Sequence, residues 1–115
     1  MLAVIFEVTP APGRRDEYLD LAASLRESVE AIDGFISIER FSSLTNEGKL
    51  LSLSFWHDED ALTQWRQLDS HRRAQTQGRK ALFSDYRLRI ATIDRDYGMF
   101  DRDQAPSDSR DHHGE

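Results

Sequence analysis

Histidine is the side chain whose ordinary pKa lies closest to neutral pH, so His71, the only histidine inside the second helical stretch, is the first candidate for a proton acceptor. The plain alternative is a helix-capping or surface histidine. Arg87 and Arg89 alternate along a late extended segment, and a guanidinium offers a planar fork of donors that suits a carboxylate or a phenolate. The same two arginines have an equal second reading as ion-pair partners of acidic groups on another copy of the chain, with Glu39 as a mate. Ser52, Ser54 and Tyr86 add hydroxyls on strand faces, where they would orient a bound molecule.

Other chemistries find no residues to carry them. His57, Asp58, Glu59 and Asp60 are consecutive, so their side chains diverge, and acidic residues before a helix already have a dipole explanation. His112 and His113 have nothing to hold a coordination geometry. No metal site is expected. The chain has no cysteine, hence no disulfide, no thiolate nucleophile and no thiolate-bound metal. It has no nucleophile elbow and no Ser-His-Asp order. Gly13, Gly34, Gly48 and Gly78 stand apart as turn glycines, without a phosphate-cradling fingerprint.

The elements that must position these groups follow from periodicity. Leu2 to Thr9 is β-branched and aromatic and runs into Pro10-Ala11-Pro12-Gly13, a strand and a turn. Tyr18, Leu21, Ala22, Leu25, Val29 and Ile32 draw one apolar stripe on a helix from Arg14 to Ile32, with Asp16 and Glu17 at its positive end and Gly34 at its stop. Phe35 to Ser43 and Lys49 to Trp56 flank a turn containing Asn46 and Gly48, an antiparallel hairpin. In its second strand Leu51, Leu53 and Phe55 are expected to face the core, with Ser52, Ser54 and Trp56 opposite. Asp58 or Asp60 caps a helix holding Ala61, Leu62, Trp65 and Leu68, and Asp69-Ser70 restarts it through His71, Ala74 and Gln75 to a break near Gly78. The last strand is Tyr86 to about Tyr97.

The order β-α-β-β-α-β predicts an α+β, ferredoxin-like sandwich: a four-stranded antiparallel sheet with helices on one face. The other face would expose apolar residues beside Ser and Arg, and a second copy is expected to cover it, the two sheets enclosing a chamber in each subunit. Residues 1–98 form this domain, and 99–115 read as a disordered acidic and polar tail. With 115 residues, 15 Lys+Arg and 21 Asp+Glu, the net charge of −6 argues against nucleic acid and against an anionic membrane. An RNA-recognition domain shares the element order but needs a basic, aromatic central strand. The apolar opening, Met1 to Val8, has no basic lead or cleavage pattern, so the expected location is cytoplasmic.

The run Phe55-Trp-His-Asp-Glu-Asp-Ala-Leu-Thr-Gln-Trp65, then Ser70-His-Arg-Arg-Ala-Gln-Thr-Gln-Gly78 and Tyr86-Arg-Leu-Arg-Ile90, resembles the antibiotic-biosynthesis-monooxygenase (ABM) family, nearest its HmoA-type haem-degrading branch. The leading strand and the Asp33-Gly34-Phe35 turn fit as well. The resemblance implies a dimeric α/β barrel with a pocket between sheet and helices. It implies either oxidation of a quinol- or phenol-like small aromatic by O2 without metal or flavin, or binding and degradation of haem, or a non-catalytic ligand-binding module. It assigns Trp56 the place of the Trp that lies over the bound macrocycle in the haem-degrading relatives, the alternative being a packing Trp at a strand–helix corner or a dimer contact. Alignment on the Trp65 segment sets the relatives' haem-ligating histidine nearer Gln75 than His71. The expected catalytic residues are His71, Trp56 and Arg87, with Arg89, Ser52, Ser54 and Tyr86 binding substrate. No cofactor is expected, with haem the alternative.

Overall fold

In the computed structural model, residues 1–68, 76 and 82–112 are described. Nine successive residues of mostly β-branched and aromatic type make β1 (Leu2–Pro10) the centre of the sheet. Its neighbours are β3 (Leu50–Trp56) and β4 (Phe83–Thr92), and β2 (Phe35–Ser42) pairs with β3 at the far edge, giving the order β2-β3-β1-β4 with every pair antiparallel. Helices α1 (Arg15–Glu30) and α2 (Glu59–Gln67) connect the strands, and a six-residue α3 (Ser107–His112) follows β4. This is the α+β, ferredoxin-like arrangement that the element order predicts. Among the described residues no helix is long and apolar enough to cross a membrane.

The α1 stripe packs as its spacing requires: Tyr18, Ala22 and Val29 are buried, and Leu25 and Ile32 lie against the core. Asp58 is the residue that caps α2, its carboxylate accepting from the Ala61 amide at 3.0 Å. The continuation of that helix through His71 to Gly78 lies outside the described residues.

Gly34 has two reasons to be glycine. Its φ is +95°, and a Cβ there would stand 2.8 Å from the Cβ of Ala61 at the start of α2. The chain therefore turns from α1 into β2 directly beneath α2, and the Gly34 carbonyl accepts from the His57 amide at 2.8 Å. Gly34→Ala is expected to destabilise the fold by about 2 kcal/mol, a fall in Tm of roughly 10 °C by thermal circular dichroism.

Two sequence expectations are corrected. The last strand runs Phe83–Thr92 rather than Tyr86 to Tyr97, because its length is set by its partner: Thr92 pairs with Leu2, the Ile93 amide reaches the Met1 carbonyl, and β1 offers no further ladder. The faces of β3 are also reversed. Leu50, Ser52, Ser54 and Trp56 are buried under the helices, while Leu51, Leu53 and Phe55 are half-buried on the open face. Register is the cause, since Trp56, Ser54, Ser52 and Leu50 stand opposite Leu2, Val4, Phe6 and Val8 of β1, the pleats that face the helices. A buried serine is tolerable there because Ser54 Oγ accepts from the Trp56 indole N–H at 2.9 Å.

Beyond Ile93, the Asp96 amide donates to Gln104 Oε1 at 2.7 Å, and Arg102 donates to the Gly98 carbonyl at 3.1 Å and to Ser109 Oγ at 3.0 Å. These short-range bonds fold residues 96–110 locally around α3.

Candidate functional site

The helix layer does not fill the space above the sheet with one continuous core. One cluster forms around Val4, Val29, Trp56, Ala61 and Leu62, and a second around Val8, Tyr18 and Leu50. A cavity of about 180 Å³ is lined by members of both. From the strands it takes Val4, Phe6, Ile38, Arg40, Ser52, Phe83, Tyr86, Leu88 and Ile90. From α1 come Tyr18, Leu21, Ala22 and Leu25, and from α2 come Leu62, Trp65 and Arg66.

Four of these rings interlock. Phe83 lies 5.6 Å from Tyr18, 5.9 Å from Phe6 and 5.9 Å from Tyr86, ring centroid to centroid. Edge-on contacts of this kind hold rings rigidly and leave flat faces for a ligand. Tyr86, Leu88 and Ile90 are 38%, 50% and 45% exposed, so the cavity opens along β4.

The residues singled out from sequence divide between two sides of the sheet. Ser52 and Tyr86 line the cavity. Ser54 is buried as the acceptor for Trp56. Trp56 itself is fully buried, stacked on Trp65 at 5.0 Å and 15° and edge-on to Phe35, so it is Trp65 that presents its ring to the cavity. Arg87 and Arg89 stand opposite Glu7 and Ile5 on the open face, away from the cavity. Arg89 pairs within its own chain with Glu7, which also meets Lys49 Nζ at 3.0 Å. His71 lies outside the described residues. The described lining holds no imidazole, thiolate or carboxylate, and the phenol oxygens of Tyr18 and Tyr86 are the groups in it of a kind that ligates haem iron. No group of three or more His, Cys, Asp or Glu placed to hold a metal ion occurs among the described residues.

Sequence reasoning missed Arg40. If β2 alternated strictly from Phe35, whose ring meets Trp56, Arg40 would fall on the open face. The register shifts between Phe35 and Ser37, so Ile36 is an extra residue and every later side chain changes sides. Arg40 thereby stands opposite Ser52, inside the cavity. A bulge leaves no reliable trace in a short alternating pattern, and Arg40 was invisible for that reason.

On the open face, Ile5, Leu51, Leu53 and Phe55 are half-buried and Phe41 is 43% exposed. The Lys49 ammonium and the Arg89 guanidinium, both hydrogen-bonded to Glu7, hold its carboxyl below the usual carboxylate range. A depressed carboxyl stabilises the fold above the unfolded-state pKa and loses that contribution as pH falls through its folded value. The Tm difference between wild type and Glu7→Gln is therefore expected to be present at pH 7 and to shrink below about pH 4.5. It is expected to be small throughout, as for other solvent-screened pairs. Melting curves from pH 3 to 7 check this.

The comparisons with known proteins bear on a chain with this architecture. The chain is 47% identical over 93 residues to the jasmonate monooxygenase ABM of Pyricularia oryzae, which covers 81% of this chain and 43% of that protein. It is 32% identical over 62 residues to the uncharacterized protein YqjZ of Bacillus subtilis, covering 54% of this chain and 53% of that one. It thus spans about half or less of the length of the curated relatives it matches. Among solved structures, Rv0793 from Mycobacterium tuberculosis superposes with a TM-score of 0.75 at 20% identity, covering 84% of this chain and 98% of that one, a likeness of fold. The family model described as antibiotic biosynthesis monooxygenase matches residues 1–77, from β1 through α2, and with that match the chain belongs to the ABM family.

Proposed function

We propose that the chain is an ABM-type monooxygenase that takes a small ring-bearing molecule into the cavity between sheet and helices and oxidises it with O2. The cavity carries this reading. Its roughly 180 Å³ is filled by none of the described side chains and walled by Phe6, Tyr18, Trp65, Phe83 and Tyr86. An apolar cavity of about 150 Å³ accepts benzene, so this one suits one ring or a compact pair. That space also separates the reading from a purely structural module, whose interior would be packed. The relative named for jasmonate supports a small ring-bearing substrate.

The finer reading is a quinol- or phenol-like substrate that is its own reductant. A ring methylene beside an enolisable carbonyl loses two hydrogens and gains one oxygen atom, while the other oxygen leaves as water: CH2 + O2 → C=O + H2O. The substrate gives up four electrons and O2 accepts four, so no metal, flavin or haem is needed to balance the step. The first proton must be removed and the resulting anion stabilised. The hydroxyls of Tyr18, Tyr86 and Ser52 and the guanidinium groups of Arg40 and Arg66 are among the described groups lining the cavity that suit the second task. His71 is the sequence's candidate for the first.

The protein would work as a homodimer joined through the open faces. Apolar Ile5, Leu51, Leu53 and Phe55 lie centrally there, and Arg87 on β4 and Glu39 on β2 lie toward opposite edges. An isologous contact brings each such patch against its complement. Because the cavity lies on the helix side, the partner would stabilise the sheet rather than wall the cavity, in contrast to the chamber expected from sequence.

Oxygen-electrode assays with a panel of anthrones, quinols and jasmonate test the activity. The expected result is one O2 consumed per product formed with at least one member. Silence across the whole panel overturns the oxygenase reading, and a Soret band distinct from free hemin would move it to the haem alternative.

A further inference from the structure

Resting on the reading of the cavity as a substrate site, we propose that Arg40 anchors a carboxylate on the substrate, so that the cavity selects small monoanions over neutral molecules of the same shape. Three observations converge on this. The Nε of Arg40 is buried and has no hydrogen-bond partner, and Arg40 forms no ion pair among the described residues. A buried donor of a charged group left unanswered is costly, and the Nε calls for a partner that the described residues do not supply.

The second observation is the balance of charge. The chain as a whole carries −6, yet the described lining contains Arg40 and Arg66 and neither aspartate nor glutamate. A cavity with low-dielectric walls and cations of one sign attracts an anion.

The third is the bulge. The extra residue at Ile36 is what turns Arg40 from the open face to the cavity, and bulges commonly re-aim a side chain in this way. The register then places Arg40 opposite Ser52, which is only 7% exposed and also lines the cavity. A guanidinium fork and a neighbouring hydroxyl together suit the two oxygens of a carboxylate. The aromatic rings opposite suit an apolar body. The ligand class is therefore a monocarboxylate carried on one or two rings.

Isothermal titration calorimetry with 1-naphthylacetate and its methyl ester tests the assignment. Wild type is expected to bind the acid about 10- to 100-fold tighter than the ester. Arg40→Met is expected to abolish that preference while leaving ester affinity within about threefold, and Arg40→Lys to restore part of it, a point charge without the fork. Equal binding of acid and ester by wild type, or equal losses for both in Arg40→Met, would overturn the role of Arg40 while leaving the cavity as a binding site. Failure of both ligands to bind at millimolar concentration would overturn the cavity reading too. Thermal melts establish that the variants fold, and if Arg40→Met does not, the acid-to-ester ratio of wild type and of Arg40→Lys decides the matter.

Discussion

Trp56→Ala is expected to remove about 3–5 kcal/mol of stability, a large part of the 5–15 kcal/mol typical of a domain. The indole is fully buried, stacks on Trp65, meets Phe35 edge-on and satisfies Ser54. Its removal leaves a void in the cluster of Val4, Val29, Ala61 and Leu62, and strands a buried hydroxyl. A Tm lower by roughly 10 °C or more is the expected readout. The diagnostic comparison is with conservative variants. Trp56→Phe keeps a ring in the stack and loses only the indole hydrogen bond, so it should fall in Tm while substrate affinity stays near wild type. Trp65→Phe changes the wall of the cavity itself and should alter affinity more than stability. A Trp56→Phe protein with unchanged Tm and abolished turnover would return Trp56 to the catalytic role that the family resemblance suggests.

Leu53→Asp is expected to split the proposed dimer. Leu53 is on the central strand β3, flanked by Ile5 and Glu39, and half-buried on the open face. In a two-fold contact the substitution places a carboxylate in the apolar middle twice, once from each copy. Burying an unpaired charge costs several kcal/mol, so the dimer dissociation constant should rise about 100-fold or more. Sedimentation velocity at micromolar protein reads this directly. Circular dichroism should show a folded variant, because Leu53 is not part of either buried cluster beneath the helices. A wild-type chain that sediments as a monomer at the same concentration would remove the dimer altogether.

The two variants probe opposite faces of one strand, and β3 shows where reading the sequence ran out. Its alternation Leu50-Leu-Ser-Leu-Ser-Phe-Trp56 has apolar residues on both faces, because both are at least partly covered. Hydrophobicity alone assigns the three-residue set Leu51, Leu53 and Phe55 to the core. The ladder with β1 decides otherwise, since Val4 and Val8 must pack against α1 and α2 and carry Ser54 and Leu50 to the same side. The same limit applies to Arg87 and Arg89, whose alternation was legible but whose side was not. Their actual company is Glu7, a residue eighty or more positions away along the chain.

What the order of residues determined by itself is the element plan. The 3.6-residue stripe of α1, the Asp58 cap, the Asn46–Gly48 turn and the positive φ of Gly34 are local features, each legible from residues close in sequence. Local rules sufficed for the α+β architecture, and the resemblance of the Phe55–Trp65, 70–78 and Tyr86–Ile90 runs pointed to the family. What only the tertiary structure decided is which side of each strand meets the helices, and therefore what lines the cavity. Ser52, Tyr86 and Trp65 enter it, Trp56 packs behind Trp65, and one bulged residue in β2 turns Arg40 inward. Strand side chains alternate with a period of two, so a single-residue shift of register exchanges inside for outside, and such a shift is settled by pairing between distant segments.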